Sequence, residues 1–265
     1  AFLTFFILCV EVAGGLLANS PSLLSDAAHM FTDVFSLTLS WFALKIARLP
    51  SNVEKTYGYH RIEILASVVN GLMIIFMVCG IFYEAVQRYQ NPPLVSSEIV
   101  MAAASMGIVA NLIVIYYLKD PFQNTHDLNL KSVFFHVLGD LIASLGVLIG
   151  GGIIWFTGWN IVDPFLAAGI ALLLLLGAWN VLSEALHILL EGVPRGVSVS
   201  EVKKELKTIP AIQDIHELHI WCICSNIYAL STHALIHDSM ENQFEKTLKE
   251  IKNLLVNKFN IKHST

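Results

Sequence analysis

The sequence predicts a membrane α-helical protein, six transmembrane helices followed by a small cytosolic α+β domain. Three observations carry this. Of the 265 residues, 55% are hydrophobic and only 14% are charged, which is the composition of a chain that meets lipid rather than water. Apolar windows of about 20 residues, the length that crosses a hydrocarbon core of roughly 30 Å, recur six times. The charges are also uneven, with 19 in residues 1–190 and 18 in residues 191–265. The chain therefore divides into a membrane domain, 1–190, and a soluble domain, 191–265.

The spans are expected at 1–18, 22–46, 62–87, 97–118, 129–156 and 161–189. The connections alternate between short turns (Asn19 to Pro21, Thr157 to Asn160) and longer polar loops (Leu49 to His60, Lys119 to Asp127), so neighbouring spans run antiparallel. Lys45, Arg48, Lys55, Arg61, Lys119, Lys131 and Arg195 collect on one side and only Arg88 on the other. The basic-rich side is cytosolic, which places both termini there. Trp155 and Trp159, at the ends of spans, read as interfacial anchors. The apolar start carries no cleavage signal, and the ends at Ala1 and Thr265 read as those of a trimmed or an incompletely ordered chain.

Beyond Glu191 the pattern changes. Ser198 to Glu201 has the S-x-x-E form of a capping box and opens a short helix carrying Val202 and Leu206. Two runs rich in β-branched and aromatic residues follow, Asp214 to Cys224 and Ile227 to His237, joined at Ser225-Asn226 as a hairpin. Phe244, Leu248, Ile251, Leu255 and Phe259 recur at helical spacing, and Ile261 to Thr265 starts another strand. The order αββα(β) predicts a ferredoxin-like two-layer domain.

A net charge of −5 leaves no basic stripe for nucleic acid. The four cysteines are too few and too apolar in setting for a disulfide framework. Cys222 and Cys224 share a strand face and read as small buried residues rather than a soft-metal chelate.

The informative residues are two echoes inside apolar sequence, His29-Met-Phe-Thr-Asp33 and His136-Val-Leu-Gly-Asp140. Ionisable groups at bilayer depth are costly and mark function. At i and i+4 each pair presents an imidazole and a carboxylate on one helix face. With a rise of about 1.5 Å per residue, His29 lies roughly 12 Å and Asp33 roughly 18 Å into the second span, and His136 and Asp140 lie equally deep into the fifth from the opposite side. His29 is then level with Asp140, and Asp33 with His136. Two nitrogens and two oxygens suit a tetrahedral divalent metal such as zinc.

The chain resembles the cation diffusion facilitators, and within them the prokaryotic-type zinc-transporter subgroup. The resemblance rests on Ser22-Leu-Leu-Ser-Asp-Ala-Ala-His29-Met-Phe-Thr-Asp33, Tyr57-Gly-Tyr-His-Arg-Ile-Glu63, His136-Val-Leu-Gly-Asp140, Val162-Asp-Pro164 and Leu218-His-Ile-Trp221. It implies that the quartet binds the transported ion. It also implies a homodimer in the lipid bilayer that exports Zn²⁺ from the cytosol in exchange for H⁺, with a dimerising, metal-responsive tail. The prokaryotic type implies a plasma (inner) membrane rather than an organelle membrane. The loop Lys119 to Lys131 carries only His126, where many animal relatives have a histidine-rich insert. In the tail, His216, His233 and His263 correspond to a cytosolic metal site of the family, whose carboxylate ligand is expected beyond Thr265. His60 is a candidate for a looser interface site with His263, or an ordinary solvated histidine.

Four further residues are candidates for a proton or ion pathway. Glu11 lies level with His29 and reads as a proton relay or as a buried, protonated packing residue. Asp26 reads as an outer-turn solvated acid or as a carboxylate guiding cations at the mouth. Asn70 and Asn111 read as interhelical hydrogen-bonding groups or pathway lining. An intramembrane metalloenzyme finds no H-E-x-x-H or nucleophile elbow here, and a channel finds no selectivity-filter run. A metal sensor that does not transport remains as the other reading.

Overall fold

The computed structural model describes residues 2–91, 93–124, 128–224, 227–237 and 244–265, with side chains at 2–4, 118–124, 128–133, 135 and 136 outside the description. Six long helices come first: α1 (Phe2–Ala18), α2 (Pro21–Ala47), α3 (Arg61–Gln90), α4 (Ser97–Asn124), α5 (Leu128–Thr157) and α6 (Val162–Leu189). The α+β part follows as α7 (Val199–Leu206), β1 (Ile212–Cys224), β2 (Ile227–Ile236), α8 (Phe244–Phe259) and β3 (Ile261–Ser264).

Helices α2 to α6 are each long and apolar enough to cross a membrane, while α1 has 17 residues, apolar apart from Thr4 and Glu11. Large apolar side chains such as Phe76, Phe156 and Leu173 face outward, as they do where lipid is the solvent. The apolar stretch of α4 ends at Leu118 in the sequence, yet the helix continues to Asn124, where a polar loop is expected from Lys119. Hydrophobicity marks where the bilayer ends, not where the i→i−4 ladder ends. His126 lies outside the described residues, as do the side chains of Lys119 and Lys131.

The turn between α1 and α2 is set by its residues. Asn19 takes a left-handed conformation, φ 54°, one that Asn tolerates, and Ser20 N–H donates back to Gly15 O at 3.0 Å. Gly14 and Gly15 let the neighbouring helices come close. A Cβ on Gly14 would lie 3.0 Å from Ala103 Cβ on α4 and 3.1 Å from Leu23 Cδ2 on α2. Around it Ala18, Leu23, Val100, Ala103, Ala104 and Val147 form a buried cluster, the small-residue packing that joins helices in lipid.

The chain divides into two compact units, one of residues 1–38 and 70–179, the other of 39–69 and 180–265. In the second, β1 pairs antiparallel with β2, and β2 pairs parallel with β3. The Ser225-Asn226 turn lies outside the described residues. Ser198 caps α7, its Oγ accepting from Glu201 N–H at 3.4 Å. The helices α7 and α8 cover one face of the sheet through Val202, Leu206, Ile215, Ile220, Leu230, Leu255 and Ile261, which is the αββαβ arrangement expected of the tail.

Candidate metal centre

The site is built on the polar face of α2. Ser22, Asp26, His29, Asp33 and Ser36 follow one another at steps of 4, 3, 4 and 3, which keeps them on one side of the helix. His29 stands at the middle of this stripe and contacts a carboxylate with each ring nitrogen. Its Nδ1 is 3.6 Å from Asp33 Oδ2 on the same helix, and its Nε2 is 3.5 Å from Asp140 Oδ1 on α5. One ligand atom from each of the three residues lies within 4.8 Å of the others, and among the described residues this is the group of three or more His, Cys, Asp or Glu that can hold a metal. All three are part-buried. His136 lies on α5 one turn before Asp140, and its side chain is outside the described residues.

The other candidates fall on either side of this centre along α2. Asp26 is buried, 2% exposed, and accepts a hydrogen bond from Ser144 Oγ on α5 at 3.2 Å. The outer-turn solvated acid expected from its position is thus corrected, because this face of α2 turns to α5 rather than to solvent. Glu11 is fully buried. Asn70 on α3 accepts from Ser36 Oγ at 2.6 Å, a bond between helices. Asn111 on α4 is buried.

Asp163, at the start of α6, was not singled out as a site residue beyond its place in Val162-Asp-Pro164. It is buried and accepts from Ser20 Oγ at 2.7 Å and from the Ser22 hydroxyl. Ser22, the first member of the α2 stripe, was the signal that this face continues to the end of the helix. Ser144 gave no signal except its distance of one turn from Asp140.

In the tail, His216 and His233 are partners across β1 and β2, both exposed, each with its own acid. His216 Nε2 is 3.2 Å from Asp214 Oδ2, and His233 Nδ1 is 3.7 Å from Glu217 Oε2. His263 on β3 is in register with Ala229, and its ring meets the edge of Tyr57. Ligand atoms of these three are not gathered as those of His29, Asp33 and Asp140 are. His60 is half-buried in the loop before α3 and lines a cavity of about 570 Å³ with Tyr57, Glu191 and Trp221. The Lys207 ammonium, 2.6 Å from Asp214, and the Ile215 N–H hold the Asp214 carboxyl down at about 2. Burial pushes the Cys222 thiol up, and Glu184 and Cys224 add to this.

Residues 1–190 match the cation efflux transmembrane domain, and residues 194–265 match the cytoplasmic domain of cation efflux proteins. The chain belongs to the cation efflux family. As a cation efflux protein it is a multi-pass membrane transporter rather than an enzyme. It is 38% identical over 263 residues, 99% of this chain and 82% of the relative, to the metal cation efflux system protein CzcD of Cupriavidus metallidurans. It is 37% identical over 94% of this chain and 80% of the relative to a cadmium, cobalt and zinc/H(+)-K(+) antiporter of Bacillus subtilis. It is 32% identical over 97% of this chain and 81% of the relative to the zinc transporter ZitB of Escherichia coli. Among solved structures, the metal-bound C-terminal domain of the Cupriavidus CzcD transporter is 33% identical over 26% of this chain and 93% of that one, with a TM-score of 0.24.

Proposed function

We propose that this cation efflux protein moves Zn²⁺ out of the cytosol in exchange for H⁺, by alternating access around a four-ligand site of His29, Asp33, His136 and Asp140. The observation that carries the reading is that His29 stands within 3.6 Å of carboxylates on two different helices. A nitrogen and two carboxylate oxygens at membrane depth are the donors zinc takes, and the ions for which the relatives are named, zinc with cadmium and cobalt, share these donors.

Zinc needs a neutral imidazole and ionised carboxylates, so protons and metal compete for the same atoms. An imidazole with an ordinary pKa of about 6.5 titrates where cellular pH gradients lie. Loaded from a near-neutral cytosol and opened to a more acidic outside, the ligands take up protons and release the metal. Because α2 and α5 each supply ligands, a shift of one against the other opens the site.

The wider reading follows from the same family. The membrane domain is 1–190 and the tail 191–265, a division supported by the gap between the two family matches. The tail dimerises two copies, with His216, His233 and His263 as its metal ligands and His60 beside them. Asn70 and Asn111 line the ion path. Both termini are cytosolic and the host is the plasma membrane, readings supported by the distribution of basic residues and by the bacterial relatives.

Zinc uptake into proteoliposomes under an imposed pH gradient tests this, with His29→Ala and Asp140→Ala beside the unaltered chain. Gradient-dependent flux that both substitutions abolish is expected. Flux indifferent to the gradient would remove antiport, and zinc binding without flux would make the protein a sensor.

A further inference from the structure

Among the described residues, one carboxylate of the membrane helices has neither solvent nor a hydrogen-bonding partner at either oxygen. Glu11 on α1 is 0% exposed, and neither carboxylate oxygen has a hydrogen-bond partner. An ionised carboxylate left so is among the costliest groups a protein can bury, and in a membrane it is kept where it acts. Its surroundings on each packed helix are specific. On α4 the notch at Gly107 receives it, since a Cβ there would lie 2.9 Å from Glu11 Oε1 and 3.3 Å from Ser144 Oγ. On α5 that same Ser144 donates to Asp26 of α2. Among the described residues, the charged groups that act on Glu11 are Asp26 and Asp140, both acids, and His29 acts on Asp26.

Glu11, Ser144 and Asp26 thus form an all-oxygen cluster one helical turn from the metal ligands, Asp26 three residues from His29 and Ser144 four from Asp140. A metal cation as hard as K⁺ would also accept oxygen donors, but it needs room among them. Glu11, Asp26 and Ser144 are 0%, 2% and 2% exposed and closely packed. A proton needs no room.

We infer that Glu11, with Ser144 and Asp26, is a proton-binding site separate from the metal ligands, which gives up its proton when a divalent cation loads beside His29 and regains it when the cation leaves. The inference rests on the antiport reading and adds a carrier to it. With the metal site empty, the Glu11 carboxyl keeps its O–H bond and Asp26 carries the single negative charge of the cluster. Arrival of a doubly charged cation one turn away compensates an ionised Glu11. The O–H bond then breaks, the proton crosses the Gly107 notch that Glu11 Oε1 and Ser144 Oγ share to the Ser144 hydroxyl, which both donates and accepts, and leaves the cluster through Asp26, and the electron pair stays on Glu11. Unloading reverses each step.

The test counts protons released per zinc bound, using the full chain in lightly buffered detergent solution with a pH dye and calorimetry for the bound zinc. Glu11→Gln is expected to release about one proton fewer per zinc than the unaltered chain, and Glu11→Asp to restore the number. If Glu11→Gln does not fold, Ser144→Ala decides, with slower proton release after rapid mixing with zinc as the expected result and an unchanged rate against it. An unchanged proton count in folded Glu11→Gln overturns the inference, as does a folded Glu11→Gln that no longer binds zinc. Proton release on adding KCl without zinc, lost in Glu11→Gln, would make the cluster an alkali-cation site instead. Asp140→Ala binding zinc as the unaltered chain does would overturn the transport site itself, whatever Glu11 does.

Discussion

Ser20, in the turn between α1 and α2, donates its hydroxyl to Asp163 at the start of α6, 2.7 Å away and 143 residues later in the chain. The Ser22 hydroxyl reaches the same oxygen. One buried carboxylate therefore fixes where α2, the helix that carries His29 and Asp33, begins. Asp163→Ala removes the acceptor the two hydroxyls share; they lie 3.2 Å apart and one can donate to the other, so at least one buried hydroxyl is left unsatisfied, a loss of about 1–3 kcal/mol. Thermal unfolding in detergent is expected at a clearly lower temperature for this variant, with Asp163→Asn falling between the two because its amide oxygen still accepts.

Removal of His29 takes away the nitrogen that stands between the Asp33 and Asp140 carboxylates. Altering even a group behind a metal ligand costs roughly 10–100-fold in affinity, so His29→Ala is expected to lose at least about 100-fold in zinc affinity by calorimetry. Affinity within a few-fold of the unaltered chain would show that zinc is held elsewhere.

Asp214 gives the tail a defined acid response. Its carboxyl sits at about 2 rather than the usual 3.8, first through Lys207 and then through the Ile215 N–H. A carboxyl lowered on folding favours the folded state above its ordinary value, and that contribution fades as the pH falls from about 4 to about 2. In Lys207→Ala the titration midpoint of Asp214, followed by carboxyl NMR, is expected to rise toward 3.8. A midpoint that stays near 2 would remove Lys207 as the cause.

Thiol labelling separates the cysteines by setting. Cys222 and Cys224 are buried in β1, and burial keeps the Cys222 thiol from ionising, which suppresses its reactivity. A water-soluble maleimide is expected to leave both unlabelled in the folded chain and to label them on unfolding. Rapid labelling of Cys222 in the folded state would contradict its packing beside Ile64, Ala185 and Ile188.

Helix positions were legible because long apolar runs have no other use, and each of the six expected spans has its helix within a few residues, except where α4 outruns its apolar stretch. The closeness of His29 and Asp140 was legible as well, since antiparallel helices of equal rise bring residues of complementary depth level with each other. Asp26 was not, because depth says how far a residue lies from the surface and nothing about which neighbour its helix face meets. The neighbours of Glu11 and the partners of Asp163 were hidden for the same reason. Serines carry no periodic signal of their own, and a missing side chain such as that of Gly107 is read only when the neighbouring helix is in place.

The passage from α6 to α7 covers residues 190–198, and it is held along its length. Arg61 pairs with Glu191 at 3.0 Å, the His187 Nε2 meets Val193 O at 2.9 Å, and Arg195 pairs with Glu184 at 2.5 Å. A tether of this length left free would behave as a rope, passing on tension but no twist. Fastened at three points it behaves as a short shaft, so that torque on the sheet reaches the end of α6 with little backlash.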